Sequence, residues 1–440
     1  MNAGHRPGNG SATMQDSKKE IASWALYDWA NSAFATTVMA AFFPIFFKEY
    51  WAYGADSATS TFYLGLGNSI ASLLVAAMAP VIGAIADRGS YKKKLLTFFA
   101  FLGIIMTGGL WFVKLGQWPV AVLFYILATI GFSGANTFYD SLLPSVASEK
   151  KVDFVSSLGF SLGYIGGGLL FVINVLMYLM PEKFGIPDGP TAIRLSFLSV
   201  GIWWAVFSLP ILLFVHEEKT GSSITVGDAC REGFGEIKRT LSSLKTLRHT
   251  GLFLLAYWCY IDGVDTIIRM ATDYGSALGF SADSMIIALI ITQFVAFPCA
   301  LLYNLFGKKV GTKKAIQVAI FAYGAIAVMG FFMQKEIHFY LLAAAIGVFQ
   351  GGIQALSRSY YAKIIPRENS SEFFGFFNML GKFAAIVGPL LVGIVTLITG
   401  QQRFGIISLI ILFVAGFLLL RKVDEGKAAE EALAFQNSRG

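Results

Sequence analysis

Several charged side chains lie inside long apolar stretches of this sequence, where they could bind a polar solute or carry a proton. In the stretch 249–277, Asp262, Asp265 and Arg269 recur at helical spacing and would share one stripe of a helix. A charge at the centre of a membrane helix costs about 2.5 to 3.5 kcal/mol on insertion scales, so such charges usually face a cavity or pair with one another. Asp265 and Arg269 are predicted to pair, because the acid precedes the base by four residues.

A second set of polar groups begins in the stretch 20–47, where Asp28 and Asn31 share a helix face. Lys382 lies about eleven residues into the stretch 371–399, at a depth that would allow it to pair with Asp28. Carboxylates beside cations suit a zwitterion: Arg269 or Lys382 would hold a carboxylate, and Asp28 or Asp262 an ammonium group. The three aspartates Asp28, Asp262 and Asp265 are also candidates for proton coupling. The alternative is that these charges form structural pairs that only set the register of the helices.

The elements that carry these charges are predicted from composition. Hydrophobic residues make up 55% of the 440 residues and charged residues 14%, and the mean hydropathy is +0.63. A spanning helix needs about 20 mostly apolar residues. Twelve stretches meet this need and predict an all-α membrane protein with twelve transmembrane helices: 20–47, 58–86, 93–114, 118–142, 153–180, 192–215, 249–277, 282–306, 313–334, 337–361, 371–399 and 402–421.

Composition also excludes several classes of protein. The polar first 17 residues do not resemble a removable signal peptide. The three cysteines are expected to be free thiols, and the four histidines fall in or beside polar segments, so we predict no metal and no cofactor. No phosphate-binding loop of the G-x-x-x-x-G-K-[ST] type is present, because Phe383 follows Gly381 and Lys382. ATP hydrolysis is therefore not expected.

The distribution of basic residues predicts the orientation. Most of the 34 Lys and Arg residues lie in the termini and the even-numbered loops, which the positive-inside rule places in the cytoplasm. We therefore predict a multi-pass protein of the inner (plasma) membrane with both termini cytoplasmic. The net charge of +7 fits a basic face beside anionic lipid, and a nucleic-acid partner is not expected.

The longest polar interval, 216–248, divides the predicted helices six and six. The resulting plan is a tail (1–19), a six-helix bundle (20–215), a cytoplasmic linker (216–248), a second six-helix bundle (249–421) and a cytoplasmic tail (422–440). Within the linker, apolar residues recur at three- and four-residue steps between charged ones, which predicts an interfacial amphipathic helix. The alternative is a solvated linker.

The two halves repeat each other. The segment Gly134-Ala-Asn136 followed by Asp140-Ser141 matches Gly352-Ile-Gln354 followed by Arg358-Ser359 at an offset of 218 residues. Asp28 and Asn31 likewise match Asp262 and Asp265. Internal duplication is common in secondary carriers. Glycines at 159, 163 and 167 form two overlapping G-x-x-x-G units, which predict close helix packing.

A loop motif follows the second predicted helix: Gly83-Ala-Ile-Ala-Asp87-Arg88-Gly89-Ser-Tyr-Lys92-Lys93-Lys94. It resembles the G-x-x-x-D-R-x-G-R-R motif of the major facilitator superfamily, with an early glycine and with lysines for arginines. The resemblance implies a charge relay that locks the cytoplasmic side, carried by Asp87 and Arg88, with Asp140 as the partner of the arginine. Arg358, the repeat equivalent of Asp140, is assigned to the same gate. The alternative is that Asp87 and Arg88 only set the topology.

Three further segments narrow the resemblance: Trp24-Ala-Leu-Tyr27-Asp28-Trp29-Ala30-Asn31-Ser32-Ala33-Phe34, Tyr260-Ile-Asp262-Gly263-Val264 and Gln354-Ala355-Leu356-Ser357-Arg358-Ser359. Together they resemble the vacuole effluxer branch of the superfamily over essentially the whole chain. This branch includes fungal vacuolar amino-acid exporters and many bacterial members. The resemblance implies two pseudo-symmetric six-helix bundles with helices 1, 4, 7 and 10 around a central cavity, to which Asn136 and Gln354 would add amide groups.

The function predicted from these features is secondary active transport of a small polar or zwitterionic solute, such as an amino acid, by alternating access with protons as the coupling ion. The expected partners are the small-molecule substrate, protons and the lipid bilayer, and the carrier is expected to be a monomer. A non-transporting solute sensor of the same fold is the alternative. A membrane-embedded enzyme is the weakest hypothesis, because the sequence has no metal cluster or nucleophile–base motif.

Overall fold

The computed structural model describes residues 15–54, 57–89, 91–217 and 246–437. Some side chains inside its helices lie outside this description, among them those of Arg88 and Lys382. Within the described ranges every regular element is a helix. The predicted amphipathic helix of the linker falls mostly on residues 218–245, which are outside the described part of the chain.

Twelve long helices make up the described fold, six in each half. Ten of them are long and apolar enough to cross a membrane, and the other two, α2 and α11, are 33 and 30 residues long. The bounds are α1 Lys18–Trp51, α2 Ser57–Gly89, α3 Lys92–Phe112, α4 Trp118–Val146, α5 Val152–Leu179, α6 Gly189–Phe214, α7 Arg248–Ala277, α8 Ala282–Val310, α9 Thr312–Phe331, α10 Glu336–Ile364, α11 Ser370–Thr399 and α12 Gln402–Lys422. The predicted fold class is confirmed, since each apolar stretch forms one helix.

Helix α1 departs from regular α-helical geometry in its second half. It is α-helical over Lys18–Ala33 and has π-helical hydrogen bonding over Phe34–Phe42. Pro44 has no backbone N–H with which to bond the carbonyl of residue 40, which fits the wider register at this point. Such π segments are frequent beside functional sites, and this one contributes Ala35, Thr36 and Ala40 to the wall of the central cavity described below.

Glycines bring α5 close to α1. A Cβ atom added at Gly163 would lie 2.6 Å from the Ser32 hydroxyl oxygen, and one at Gly167 would lie 3.0 Å from the Ser32 carbonyl oxygen. A larger side chain at either position would require the Ser32 hydroxyl or the neighbouring backbone of α1 to shift. The close packing predicted from the repeated glycines is therefore confirmed.

The two halves meet along α5 with α8 and along α2 with α11. We call the side of the molecule at which α1 begins and α12 ends the terminal face. The predicted tail 422–440 contains a further helix, α13 (Glu425–Asn437), which lies on this face against α7 and α10. Ala428, Ala432 and Phe435 of α13 are buried, and Glu431 accepts a 3.0 Å hydrogen bond from the backbone N–H of His249.

Candidate transport site

A cavity of about 360 Å³, lined by both polar and apolar side chains, lies between the two halves. Helices α1, α4 and α5 form one wall, and α7, α8 and α10 form the other. Six of the residues predicted for the site or the gate line it together: Asp28, Asn31, Asn136, Asp140, Gln354 and Arg358. The structure thus brings residues from α1, α4 and α10 to one place.

The floor of the cavity, on the side of the terminal face, is built around Arg358 of α10. Its Nη1 lies 3.1 Å from Asp140 Oδ1, and its Nη2 lies 3.2 Å from Asp28 Oδ2. Its Nε donates to the Ser156 hydroxyl at 2.9 Å, and Nη2 also donates to the Ser156 carbonyl at 2.9 Å. One cation of the second half is therefore held by three residues of the first half. Sequence reasoning expected Asp28 to pair with Lys382 and Asp140 with Arg88; both carboxylates bond Arg358, and the side chains of Lys382 and Arg88 lie outside the described residues.

Aromatic rings enclose these charges. The Tyr139 hydroxyl donates to Asp28 Oδ2 at 2.8 Å, and Trp24 stacks on the Tyr139 ring with 4.2 Å between centroids. The guanidinium carbon of Arg358 lies 4.1 Å from the centroid of the Phe160 ring. A Cβ atom at Gly159 would lie 2.6 Å from Asp28 Oδ2, so this position leaves room for the cluster. Buried charges are tolerated when paired and fully hydrogen-bonded, and this environment meets that condition for Arg358.

Neutral hydrogen-bonding groups line the cavity beyond the floor. Asn31 Nδ2 donates to Asn136 Oδ1 at 2.5 Å, and the Tyr164 hydroxyl donates to Gln354 Oε1 at 2.5 Å. Gln293 of α8 donates to the Thr36 hydroxyl of α1 at 2.7 Å, which links the two halves again. The cavity therefore has a charged floor and walls in which these amide and hydroxyl groups lie among apolar residues such as Phe132 and Leu289.

Residues at equivalent positions of the sequence repeat contact each other in the structure. Asp140 and Arg358 occupy equivalent positions 218 residues apart, and they bond directly to each other. Glu149 and Arg367 have the same separation and form a 3.1 Å salt bridge on the surface. Positions related by a two-fold axis can meet each other only near that axis. The floor of the cavity therefore lies on the pseudo-two-fold axis, with opposite charges at equivalent positions.

The loop motif reaches the other half through Asp87. Its carboxylate accepts the backbone N–H groups of Ser371 at 3.1 Å and Glu372 at 2.8 Å, and Lys92 Nζ lies 3.0 Å from it. These N–H groups belong to the first turn of α11, where they have no acceptor within the helix. An acidic side chain accepts their hydrogen bonds, and its negative charge interacts favourably with the helix dipole. Asp87 thus joins α2 to α11 at the terminal face.

The acidic stripe of α7 is not part of the cavity lining. Asp262 is 1% exposed and accepts the backbone N–H of Gly388 in α11 with both oxygens, at 2.9 and 3.0 Å. Asp265 is half-buried and Arg269 is exposed. Among the described side chains these two do not form the predicted salt bridge. Helical spacing places residues on one stripe, but it does not tell which neighbouring helix that stripe meets.

Sequence reasoning missed several neutral residues of the site, namely Tyr139, Ser156, Tyr164, Gln293 and Gln350. Tyr139 could have been found, because it precedes Asp140 in the repeated motif. The others are single polar residues in apolar helices with no pattern that marks them.

Solved structures with a similar fold are known. The chain aligns with the proton:xylose symporter XylE at a TM-score of 0.70 and 14% identity, covering 95% of this chain and 98% of XylE. It aligns with the human organic anion transporter MFSD10 at a TM-score of 0.72 and 13% identity, covering 92% of this chain and 99% of the other. Both alignments show the same fold, two six-helix halves around a central cavity, which is the fold of major facilitator superfamily proteins such as XylE.

Sequence comparison identifies the family within this fold. The family model for vacuole effluxer Atg22-like proteins matches residues 16–61, 50–153 and 148–433. The MFS-type transporter YxiO of Bacillus subtilis is 41% identical over 412 residues, which are 92% of this chain and 95% of YxiO. Autophagy-related protein 22 of Vanderwaltozyma polyspora is 22% identical over 501 residues, covering 96% of this chain and 94% of the relative. The chain belongs to the vacuole effluxer Atg22-like family, and its relatives and structural neighbours are transporters, not enzymes.

Proposed function

We propose that this transporter moves a small polar or zwitterionic solute, such as an amino acid, by alternating access, with protons as the coupling ion. The observation that carries the proposal is that Asp28, Asp140 and Arg358 line the cavity and also hold the two halves together. Any ligand or proton that changes their pairing therefore acts on closure of the terminal face. The names of two structural neighbours, a proton:xylose symporter and a fucose:proton symporter, are in keeping with proton coupling.

The proposed coupling of protons to opening follows from the free energy needed to separate Arg358 from its two carboxylate partners. Opening the terminal face requires Arg358 to leave Asp28 and Asp140, and removing one partner from a buried pair costs about 3 to 5 kcal/mol. Two carboxylates share this one guanidinium, so a proton on either carboxylate removes the excess negative charge. It also reduces the number of ionic bonds that opening must break. Protonation would thus shift the population toward the open state.

The proposed location is the plasma membrane of a bacterium, with both termini cytoplasmic, so that the terminal face is the cytoplasmic face. In this orientation the structure corresponds to a state closed toward the cytoplasm. Asp87, Arg88, Asp140 and Arg358 are the proposed gate. The bond from Asp87 to the first turn of α11 supports its part in that gate. We propose that one chain is sufficient for transport.

The test is flux of radiolabelled amino acids into proteoliposomes with and without a pH gradient. We expect uptake that follows the gradient and is abolished by a protonophore. Asp140→Asn, which keeps the shape but cannot gain a proton, should bind solute and lose the dependence on pH. Glu149→Gln, the same kind of change at an exposed position, should behave like the natural protein. Saturable binding without flux under any gradient would contradict transport and favour a sensor.

A further inference from the structure

We propose that the cavity selects its solute by an amine, bound as an ammonium group at Asp28 Oδ1, and that a solute carboxylate is not recognised by Arg358. The inference rests on the proposed function and names the substrate class: primary amines, whether zwitterionic or simply cationic. Molecules with a carboxylate and no amine are excluded from the class.

Every N–H donor of Arg358 is already used within the protein. A guanidinium has five N–H donors, and Arg358 makes five hydrogen bonds: one from Nε, two from Nη1 and two from Nη2. The acceptors are Asp28, Asp140 and Ser156. No donor remains for a solute carboxylate while the floor is closed. A carboxylate could bind only by displacing one of these acceptors from a buried site.

The two carboxylate oxygens of Asp28 differ in their hydrogen bonds. Its Oδ2 accepts the Tyr139 hydroxyl and two N–H groups of Arg358. Its Oδ1 accepts no hydrogen bond from any described residue and is not fully enclosed. The residue is only 8% exposed, and it lines the cavity. An accessible carboxylate oxygen in a largely buried residue is an acceptor site for an ammonium group, which has three donors and no acceptor.

The charges of the described lining favour a cation. Among the described side chains that line the cavity, two carboxylates and one guanidinium leave an excess of one negative charge. A bound ammonium group neutralises that excess, whereas a carboxylate would increase it. Asp262 is a poorer candidate, because both of its oxygens are bonded to Gly388 and it lies outside the lining. The rest of the solute would meet neutral amides and the rings of Phe132 and Phe160.

The experiment compares matched ligands on the purified full-length protein in detergent. For leucine, glutamine and tyrosine, binding is measured by calorimetry for the free amino acid, its amide and its N-acetyl derivative. The amide keeps the amine and lacks the carboxylate; the N-acetyl derivative keeps the carboxylate and lacks the amine. In each series that binds, we expect the amide to bind within about tenfold of the amino acid. The N-acetyl derivative should lose about tenfold to a hundredfold, the range for a lost charged hydrogen bond.

Variants test the position. Asp28→Asn should weaken the amino acid and its amide by a similar factor, whereas Glu149→Gln should leave both unchanged. If Asp28→Asn does not fold, the ligand series on the natural protein still decides. Binding of the N-acetyl derivative as tight as that of the amide would overturn the proposal, because the solute would then be recognised without its amine. Amino-acid binding without discrimination overturns this inference alone, whereas no binding by any ligand and no flux overturns the proposed function with it.

Discussion

At the residue scale, Arg358 is the most informative position, because a single side chain satisfies acceptors on α1, α4 and α5. Lysine would keep the charge, but it offers three donors from one point instead of five from a planar fork. It cannot reach Asp28, Asp140 and Ser156 at once.

We therefore predict that Arg358→Lys destabilises the protein and opens the terminal face. The free energy of unfolding should fall by close to the value for breaking a buried ion pair, which is about 3 to 5 kcal/mol. The measurements are a thermal unfolding series in detergent and spin-label distances across the terminal face.

Arg367→Lys is the matched control for this change. Arg367 also joins the halves, to Glu149 at the same repeat offset, but both side chains are largely exposed. Exposed pairs contribute about 0 to 1 kcal/mol, so the control should unfold like the natural protein. Equal effects of the two substitutions would mean that the floor is not the principal link between the halves.

Asp262 illustrates a buried charge with a structural role. Its two oxygens bond the backbone N–H of Gly388, the residue before Pro389 in α11. A Cβ atom at Gly388 would lie 2.7 Å from Asp262 Oδ1, so the two helices meet closely at this point.

We predict that Asp262→Asn lowers stability by about 1 to 3 kcal/mol, because one of the two acceptor oxygens becomes an NH2 group that faces the same N–H donor and the hydrogen bond loses its charge. Thermal unfolding measures this loss. The affinity ratio between an amino acid and its N-acetyl derivative should stay constant, because the residue lies outside the cavity lining. A change in that ratio with normal stability would place Asp262 in the binding site.

At the element scale, the contact between α2 and α11 closes the terminal face beside the floor. The Asp87 carboxylate accepts hydrogen bonds from the first turn of α11. Gly83, one turn earlier in α2, allows the two helices to come close together. A Cβ atom at Gly83 would lie 2.9 Å from the Glu372 Cα and closer still to the Ser371 carbonyl group. Because these are backbone atoms, the helices would have to separate.

We predict that Gly83→Ala shifts the population toward a state open at the terminal face, because it forces α2 away from α11. Asp87→Asn, which weakens the acceptor, should act in the same direction. Modification rates of single cysteines placed along α11 report the opening.

The control is Gly324→Ala in α9, where a Cβ atom has no neighbour within 4 Å. This change should leave the modification rates at their original values. Unchanged rates in Gly83→Ala with normal expression would remove α2 and α11 from the gate.

At the scale of the whole molecule, the ionic contacts between the halves in the described residues gather on one face. Lys363 and Asp153 form a 2.7 Å pair there, and Arg367 and Glu149 a 3.1 Å pair, in addition to the pairs of Arg358. The orientation of this face in the membrane determines which compartment the structure closes off.

We predict that the terminal face is cytoplasmic, because the basic loops lie on it. In a background without Cys230, Cys259 and Cys299, an impermeant maleimide applied to intact cells should label a cysteine placed next to Asp188. It should not label cysteines in 216–248 until the cells are opened. Labelling in the reverse order would overturn the orientation and assign the closed face to the outside.

The sequence alone determined the number and the approximate limits of the twelve long helices, because the apolar length that a membrane span needs is a local property of each segment. It also predicted close packing at Gly159, Gly163 and Gly167, since glycine spacing is local, although only the structure shows that the neighbour is α1. The equivalence of Asp140 and Arg358 was predicted as well, since the repeat is visible in the chain.

Only the tertiary structure decided which charges meet. Arg358 bonds Asp28 across 330 residues of sequence, and no local pattern encodes that choice. Asp262 and Asp28 hold equivalent places in the repeat, yet one faces α11 and the other the cavity. The reason is that periodicity assigns a residue to a face of its own helix, whereas its partner depends on which helix packs against that face and at what depth.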